Sequence, residues 1–177
     1  VNATLTTRRN NEAVIKNELY YVNYGFSLFS DFTFFLVDTV HGDMINQRDH
    51  RNIVGYNGSY TQHALIGGKP LRWTAGLGAR ADMAYIQLLH AEQRTVLDTI
   101  RSGHLDQVNP SAYLDGTVDL SRRWSLNLGL RYDVYSFNYV EDRYDSLSGN
   151  RVLSRASPKM NWYYQATDNT QFYLRSG

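Results

Sequence analysis

Cysteine is missing from this 177-residue chain, so neither a disulfide nor a thiolate-held metal contributes to its structure. No stretch reaches the ~18 consecutive apolar residues that a bilayer-spanning helix needs. A surplus of either charge is missing as well. Lys and Arg number 18 against 17 Asp and Glu, so no strong field draws the chain to nucleic acid or to an anionic surface. Catalytic signatures are absent: there is no G-x-S-x-G elbow and no H-E-x-x-H pair, and the acidic pair Glu141/Asp142 lies in a polar stretch. The expectation is a chain that is not an enzyme, with no catalytic residue, no metal site and no cofactor. Residues 1–10 lack the apolar core of a signal peptide and do not begin with Met. Either a signal has been removed or the chain is an internal piece of something longer.

What the chain does have is 14 Tyr, 13 Gly and a strict two-residue rhythm. Trp124, Leu126, Leu128, Leu130, Tyr132 and Val134 alternate with Ser125, Asn127, Gly129, Arg131, Asp133 and Tyr135. Successive strand side chains point to opposite faces, so this is a strand with one apolar and one polar face. The same rhythm runs through 71–85, 112–120, 156–164 and 172–175, which favours strands over helices throughout. The first third is less regular, with strands expected at 1–6, 13–26, 32–36 and 53–62. Pro158 is expected near a strand start or at a bulge. Short connections are expected at 25–31, 65–70, 120–123 and 166–170, and long polar ones at 38–51, 88–109 and 141–153. The connection near 8–11 is short but falls on the long-loop side. Residues 91–102 can be drawn as a helix, with Val96, Leu97 and Ile100 on one side, but are read as loop.

A soluble sheet buries its apolar face against a core. A membrane barrel turns that face to lipid, with aromatics at both water boundaries, short turns at one end and long loops at the other. The reading is all-β: an antiparallel up-and-down transmembrane β-barrel, as a partial barrel of about 8–9 strands forming one unit over 1–177. The aromatic cluster Tyr20, Tyr21, Tyr24, Phe26, Phe29, Phe32, Phe34 and Phe35 reads as an interfacial girdle around the turn at 25–31.

Asp43 with QRDHRNIVG (47–55), GLGARAD (76–82), SAYLDGTVDL (111–120), LNLGLRYD (126–133), SPKMNWYY (157–164) and FYLRSG (172–177) come in a recognisable order. In that order they resemble the barrel of TonB-dependent outer-membrane receptors. The resemblance implies a bacterial outer-membrane location and energy-coupled uptake of a scarce ligand such as a ferric siderophore. It also implies outer-membrane lipid as surroundings, a plug domain and further barrel strands of the same receptor as partners, and an inner-membrane energy transducer reached through the plug. No segment here reads as a plug, and outer-membrane transporters have about 22 strands, so the chain reads as a middle-to-late piece of such a barrel.

Two Arg-x-Asp pairs, Arg80/Asp82 and Arg131/Asp133, fall on the lumen face and read as wall ion pairs rather than ligand contacts. His41, Asp43, His90 and His104 sit in the expected long connections at the outer mouth and are the candidate ligand-binding residues. Their spacing does not give the three or four convergent donors of a metal centre, and solvated loop histidines are the simpler account. Two other readings stay open: a self-contained small outer-membrane barrel for adhesion or anchoring, and a soluble β-protein that hides Trp73, Leu77, Trp124, Leu128 and Trp162 in one core.

Overall fold

The computed structural model describes residues 1–9 and 12–177. Eight strands follow one another: β1 Asn2–Arg8, β2 Val14–Ser30, β3 Ile45–Ile66, β4 Lys69–Glu92, β5 Thr95–Asp119, β6 Trp124–Glu141, β7 Gly149–Thr167 and β8 Thr170–Ser176. Each pairs antiparallel with its sequence neighbour, so a single sheet runs in the order β1 to β8. β1 and β8 share no pairing, which makes the sheet an open arc of barrel wall. The up-and-down meander matches the sequence reading, at the lower of its two strand counts.

Burial is inverted relative to a soluble sheet. Among the described residues the buried apolar side chains are Ala13, Ala84, Leu89 and Ala91, whereas Asn46, Asp82, Ser102, Asn127, Asp133 and Glu141 are buried polar ones. Leu77 is 64% exposed and Leu128 50% exposed. Register explains the apolar face. Leu128 lies opposite Gly116 and Met160, and Leu130 opposite Leu114 and Pro158, so the apolar residues of β5, β6 and β7 line up as one stripe. Aromatics border it. Trp124 stacks on Tyr164 with ring centroids 4.4 Å apart, and Tyr60 lies 5.4 Å from Trp73, both toward the short-turn end. Tyr132 closes the stripe on β6, and 124–132 matches the ~9–11 residues with which a tilted strand crosses a bilayer. No second layer covers this face among the described residues, so the single-core reading of Trp73, Leu77, Trp124, Leu128 and Trp162 finds no core.

The structure differs from the sequence reading in three main places, and the connection expected at 141–153 is shorter, 142–148. Residues 25–31 are not a turn: β2 continues through them, with Gly25 opposite His50 and Ser30 opposite Ile45. The strand expected at 32–36 is therefore loop, and the long β2–β3 connection is 31–44. Gly25 keeps ordinary strand φ, while the positive φ values nearby fall at Phe34 (56°) and Gly42 (84°), inside the loop. With one strand fewer, the β1–β2 connection joins the short-turn end, beside 67–68, 120–123 and 168–169. Residues 10 and 11 of that connection lie outside the described residues. The girdle reading fails with the turn, because Tyr20, Tyr24 and Phe26 share the polar face of β2 with Lys16 and Glu18.

The second difference is larger. Residues 88–109, read as a long loop with a helical option over 91–102, are strand on both sides of a two-residue hairpin at Gln93 (φ 48°) and Arg94 (φ 67°). Register shifts at Leu88/Leu89 and His90/Ala91 mark bulges in this extension. β4 thus runs seven residues beyond Tyr85, about 20 Å at strand rise, and carries the wall well above the apolar stripe. The third difference is Pro158, which sits within β7 opposite Leu130, neither at the strand's start nor at a bulge.

Candidate functional site

The polar face repeats one device, an Arg and an Asp two residues apart on the same face of one strand. Arg80 donates to both Asp82 oxygens, at 2.7 and 2.8 Å, and Arg131 donates to both Asp133 oxygens at 2.8 Å. A third pair, Arg51 with Asp49 on β3, was not singled out in the sequence because its order is reversed. Each Asp is occupied by its own Arg, an arrangement suited to neutralising a wet wall. Lys159 reaches from β7 across Gly129 to Asp115 at 2.7 Å. The glycines of this face are seats, not gaps. Tyr20 lies over Gly55, Tyr113 over Gly76 and Tyr139 over Gly103, each so close that a Cβ on the glycine would meet the ring within 3 Å.

At the opposite end from the short turns, the 31–44 loop is built around two carboxylates. Asp43 accepts the backbone N–H of Asp38 at 2.7 Å, that of Val37 at 3.0 Å and the Thr33 hydroxyl at 2.9 Å. Asp38 accepts the N–H groups of Val40 and His41, both at 2.9 Å. His41 Nδ1 lies 3.3 Å from the Asp38 carboxylate, and His90 of β4 lies 3.9 Å from it and 2.7 Å from the Gly42 carbonyl oxygen. Three of the four candidate ligand residues, His41, Asp43 and His90, are therefore brought together around Asp38, which the sequence did not mark. His104 is not with them: it lies opposite Tyr85 and Val140, on the face that carries the apolar stripe, with its ring 4.7 Å from that of Tyr85. The outward surface of the loop is apolar, with Phe32 86% and Val37 84% exposed.

Backbone donors hold both carboxyls below the ordinary carboxylate range, those of His41 and Val40 at Asp38 and that of Asp38 at Asp43. A folded pKa lowered in this way adds stability that is fully present above the unfolded value, 3.8, and is lost as pH falls through the lowered value. The loop is therefore expected to hold its order from neutral pH down to about pH 4 and to lose it progressively below that, as pH falls through the lowered values. Asp43→Ala is expected to open it already at pH 7. Hydrogen exchange of 31–44 against pH checks both outcomes, and protection in Asp43→Ala equal to that of the parent sinks the carboxylate-hub account.

A recess of about 530 Å³ lies on the polar face, also toward the long-loop end. Phe26, Gln47, Arg48, Asp49, Ile86, Gln87, Leu88, Arg101 and Tyr139 line it. Arg101 lies opposite Leu88, and it has no ion pair among the described residues. Tyr139 is turned instead to the Glu141 carboxylate, to which its hydroxyl donates. Sequence reasoning missed Arg101 because it fell inside the supposed loop. A larger recess, about 1240 Å³, lies along the apolar stripe by Trp73, Leu114, Leu128 and Met160. Its surface is mostly apolar, although Asp115, Lys159 and Ser176 border it, and it lies along the stripe that the sequence reading turns to lipid. No three His, Asp or Glu side chains among the described residues form a group able to hold a metal ion.

Comparison with known proteins agrees with this architecture. A family profile described as TonB dependent receptor-like, beta-barrel matches residues 1–177. The chain is similar in structure to the ferric citrate transporter FecA in its unliganded form, with a TM-score of 0.77 and 13% identity over 96% of this chain and 25% of that one. It is also similar to the open form of the ferric-catecholate import receptor Fiu from E. coli K12, with a TM-score of 0.64 and 11% identity over 98% of this chain and 34% of that one. The chain thus spans a quarter to a third of these structures. No curated protein matches the sequence.

Proposed function

The chain belongs to the TonB-dependent receptor-like β-barrel family, and from that premise we propose that it serves as barrel wall and outer gate in energy-coupled uptake of a scarce ligand, of the ferric-siderophore kind, across a bacterial outer membrane. The observation that carries this reading is the inverted sheet, apolar outside and ion-paired inside, in a chain matched by the family over its whole length. Capture falls to the ordered 31–44 loop and to the tall β4–β5 hairpin, and His41, Asp43, His90 and, from the outer flank, His104 are the residues proposed to meet the ligand. Arg80, Asp82, Arg131 and Asp133 keep the passage wet and neutral. A plug domain and further strands of the same receptor complete the pore, and an inner-membrane energy transducer acts through the plug. Transport of this kind needs no chemistry on the ligand, so the wall requires no catalytic residue. The adhesion reading needs a barrel closed by β1 and β8, which do not pair.

Uptake of a radiolabelled ferric siderophore by iron-starved cells tests the proposal. Cells carrying the intact protein are expected to accumulate label, cells lacking it to accumulate several-fold less, and a proton uncoupler to abolish the difference. Equal uptake with and without the protein, across hydroxamate, catecholate and citrate chelates, defeats the reading.

A further inference from the structure

The 1240 Å³ recess along the apolar stripe has the form of a groove with one charged end. Register sets Trp73, Gly116, Leu128 and Met160 side by side across four strands, with Leu71, Val118 and Leu126 in the next row toward the short turns. Gly116 is the floor: a Cβ there would meet only Leu71, at 3.5 Å, so the space between Trp73 and Leu128 stays open. Asp115 and Lys159 border the recess, but they pair with each other at 2.7 Å on the polar face. The row that ends the groove is Lys69, Leu120, Trp124 and Tyr164. Lys69 Nζ donates to the Leu120 carbonyl oxygen, the Leu120 N–H donates to that of Trp124 at 2.9 Å, and Trp124 stacks on Tyr164. Lys69 shares the parity of Leu71 and Trp73, so it stands on the apolar face, at the boundary where aromatics begin. It is exposed and has no ion pair among the described residues. Arg122, in the β5–β6 turn two residues past Leu120, is likewise exposed and without an ion pair among the described residues. The acid beside them, Asp119, belongs to the other face, where the Ser125 hydroxyl donates to it at 2.7 Å, and Asp168 lies beyond β7.

We propose that this groove and Lys69 form a binding site for one anionic phospholipid of the periplasmic leaflet, its phosphate on the Lys69 ammonium and an acyl chain laid over Gly116 between Trp73 and Leu128. Arg122 adds charge from the adjacent turn. The short turns of such a wall face the periplasm, which sets the leaflet. The occupant is a lipid because the groove opens on the stripe that hydrocarbon covers, while its unpaired cation stands at the water boundary. The occupant is anionic because the outward charge at that end is of one sign, and an ammonium binds phosphate as a compact point charge. The assignment rests on the reading that the stripe faces lipid. It adds a headgroup preference, which an apolar stripe by itself does not have.

Trp73 reports on the groove. The intact receptor is reconstituted in phosphatidylcholine vesicles with a rising share of phosphatidylglycerol brominated on its acyl chains, or of phosphatidylcholine brominated in the same way. Subtracting the emission of the Trp73→Phe protein isolates Trp73. Brominated phosphatidylglycerol is expected to quench Trp73 as though enriched about fivefold over its bulk share, the attraction of one lysine for an anionic headgroup, whereas brominated phosphatidylcholine follows its bulk share. Lys69→Gln is expected to remove the enrichment and Lys69→Arg to keep it. Gly116→Leu, which fills the floor, is expected to lower it with the charge untouched. The quencher rides on the acyl chain, so a free phosphate gives no signal. Heat-modifiable migration confirms that each variant is folded. Equal quenching by the two lipids in the parent protein, or enrichment unchanged in either Lys69→Gln or Gly116→Leu, overturns the site and leaves the lipid-facing stripe standing. A folded protein in which neither lipid quenches Trp73 overturns the lipid-facing reading and the site with it.

Discussion

Leu128→Arg is expected to destabilise the folded protein in a bilayer by about 2–4 kcal/mol, the cost of an arginine on the lipid face at mid-depth. Leu128 stands midway between Trp124 and Tyr132, opposite Gly116 and Met160, at the centre of the apolar stripe. It is half exposed in the sheet by itself, so the penalty does not come from crowding a core. It comes from placing a guanidinium where only hydrocarbon surrounds it. Val140→Arg is the control, because Val140 shares the parity of Leu128 on β6 but lies past Tyr132, above the stripe. Near or beyond the interface the same substitution costs about 0–1 kcal/mol. Urea titration of the two variants in phospholipid vesicles, followed by tryptophan fluorescence, gives the comparison. Equal costs at both positions end the claim that this stripe faces lipid.

The strands legible in the sequence were those whose two faces differ most in polarity. β4, β6 and β7 carry Leu or Trp on one side and Arg, Asp or Asn on the other, and alternation alone located them. Where both faces are mixed the rhythm failed. On β2, Tyr20, Tyr24 and Phe26 share the polar face, so hydrophobicity no longer tells inside from outside, and Gly25 looked like a turn. Hairpin chemistry decided the rest. Gly67 and Gly68 supply the two positive φ values of a tight hairpin and announce it in the sequence. Gln93 and Arg94 adopt the same conformation without glycine or asparagine, so nothing marked the β4–β5 hairpin, and with it went Arg101. The candidate loop was half legible. His41, Asp43 and His90 were visible as residue types, but Asp38, on which both histidines close, gains its place only from backbone donors that no side-chain pattern records. His104 was placed by counting loop residues, and the strand that replaced the loop turned it to the other face.

Gly103→Ala is expected to cost about 1–3 kcal/mol, the range for forcing added volume into a closed contact, whereas Gly25→Ala is expected to stabilise by about 0.5–1 kcal/mol. Both glycines lie within long strands, and propensity alone treats them alike. The surroundings separate them. A Cβ at Gly103 would stand 2.5 Å from the Val140 carbonyl oxygen and within 3 Å of the Tyr139 ring. The carbonyl belongs to the neighbouring strand and cannot swing aside as a side-chain tip does. β5 and β6 must therefore separate locally, just where Glu141 joins Ser102 and Tyr139. A Cβ at Gly25 meets nothing within 4 Å, and Gly25 keeps an ordinary strand φ, so alanine there only restricts the unfolded chain. Urea midpoints measured at unchanged m-value in one lipid give both signs together. A Gly103→Ala protein as stable as its parent means that the ring and carbonyl yield freely, and the seating of tyrosines on glycines then does not fix the register of this wall.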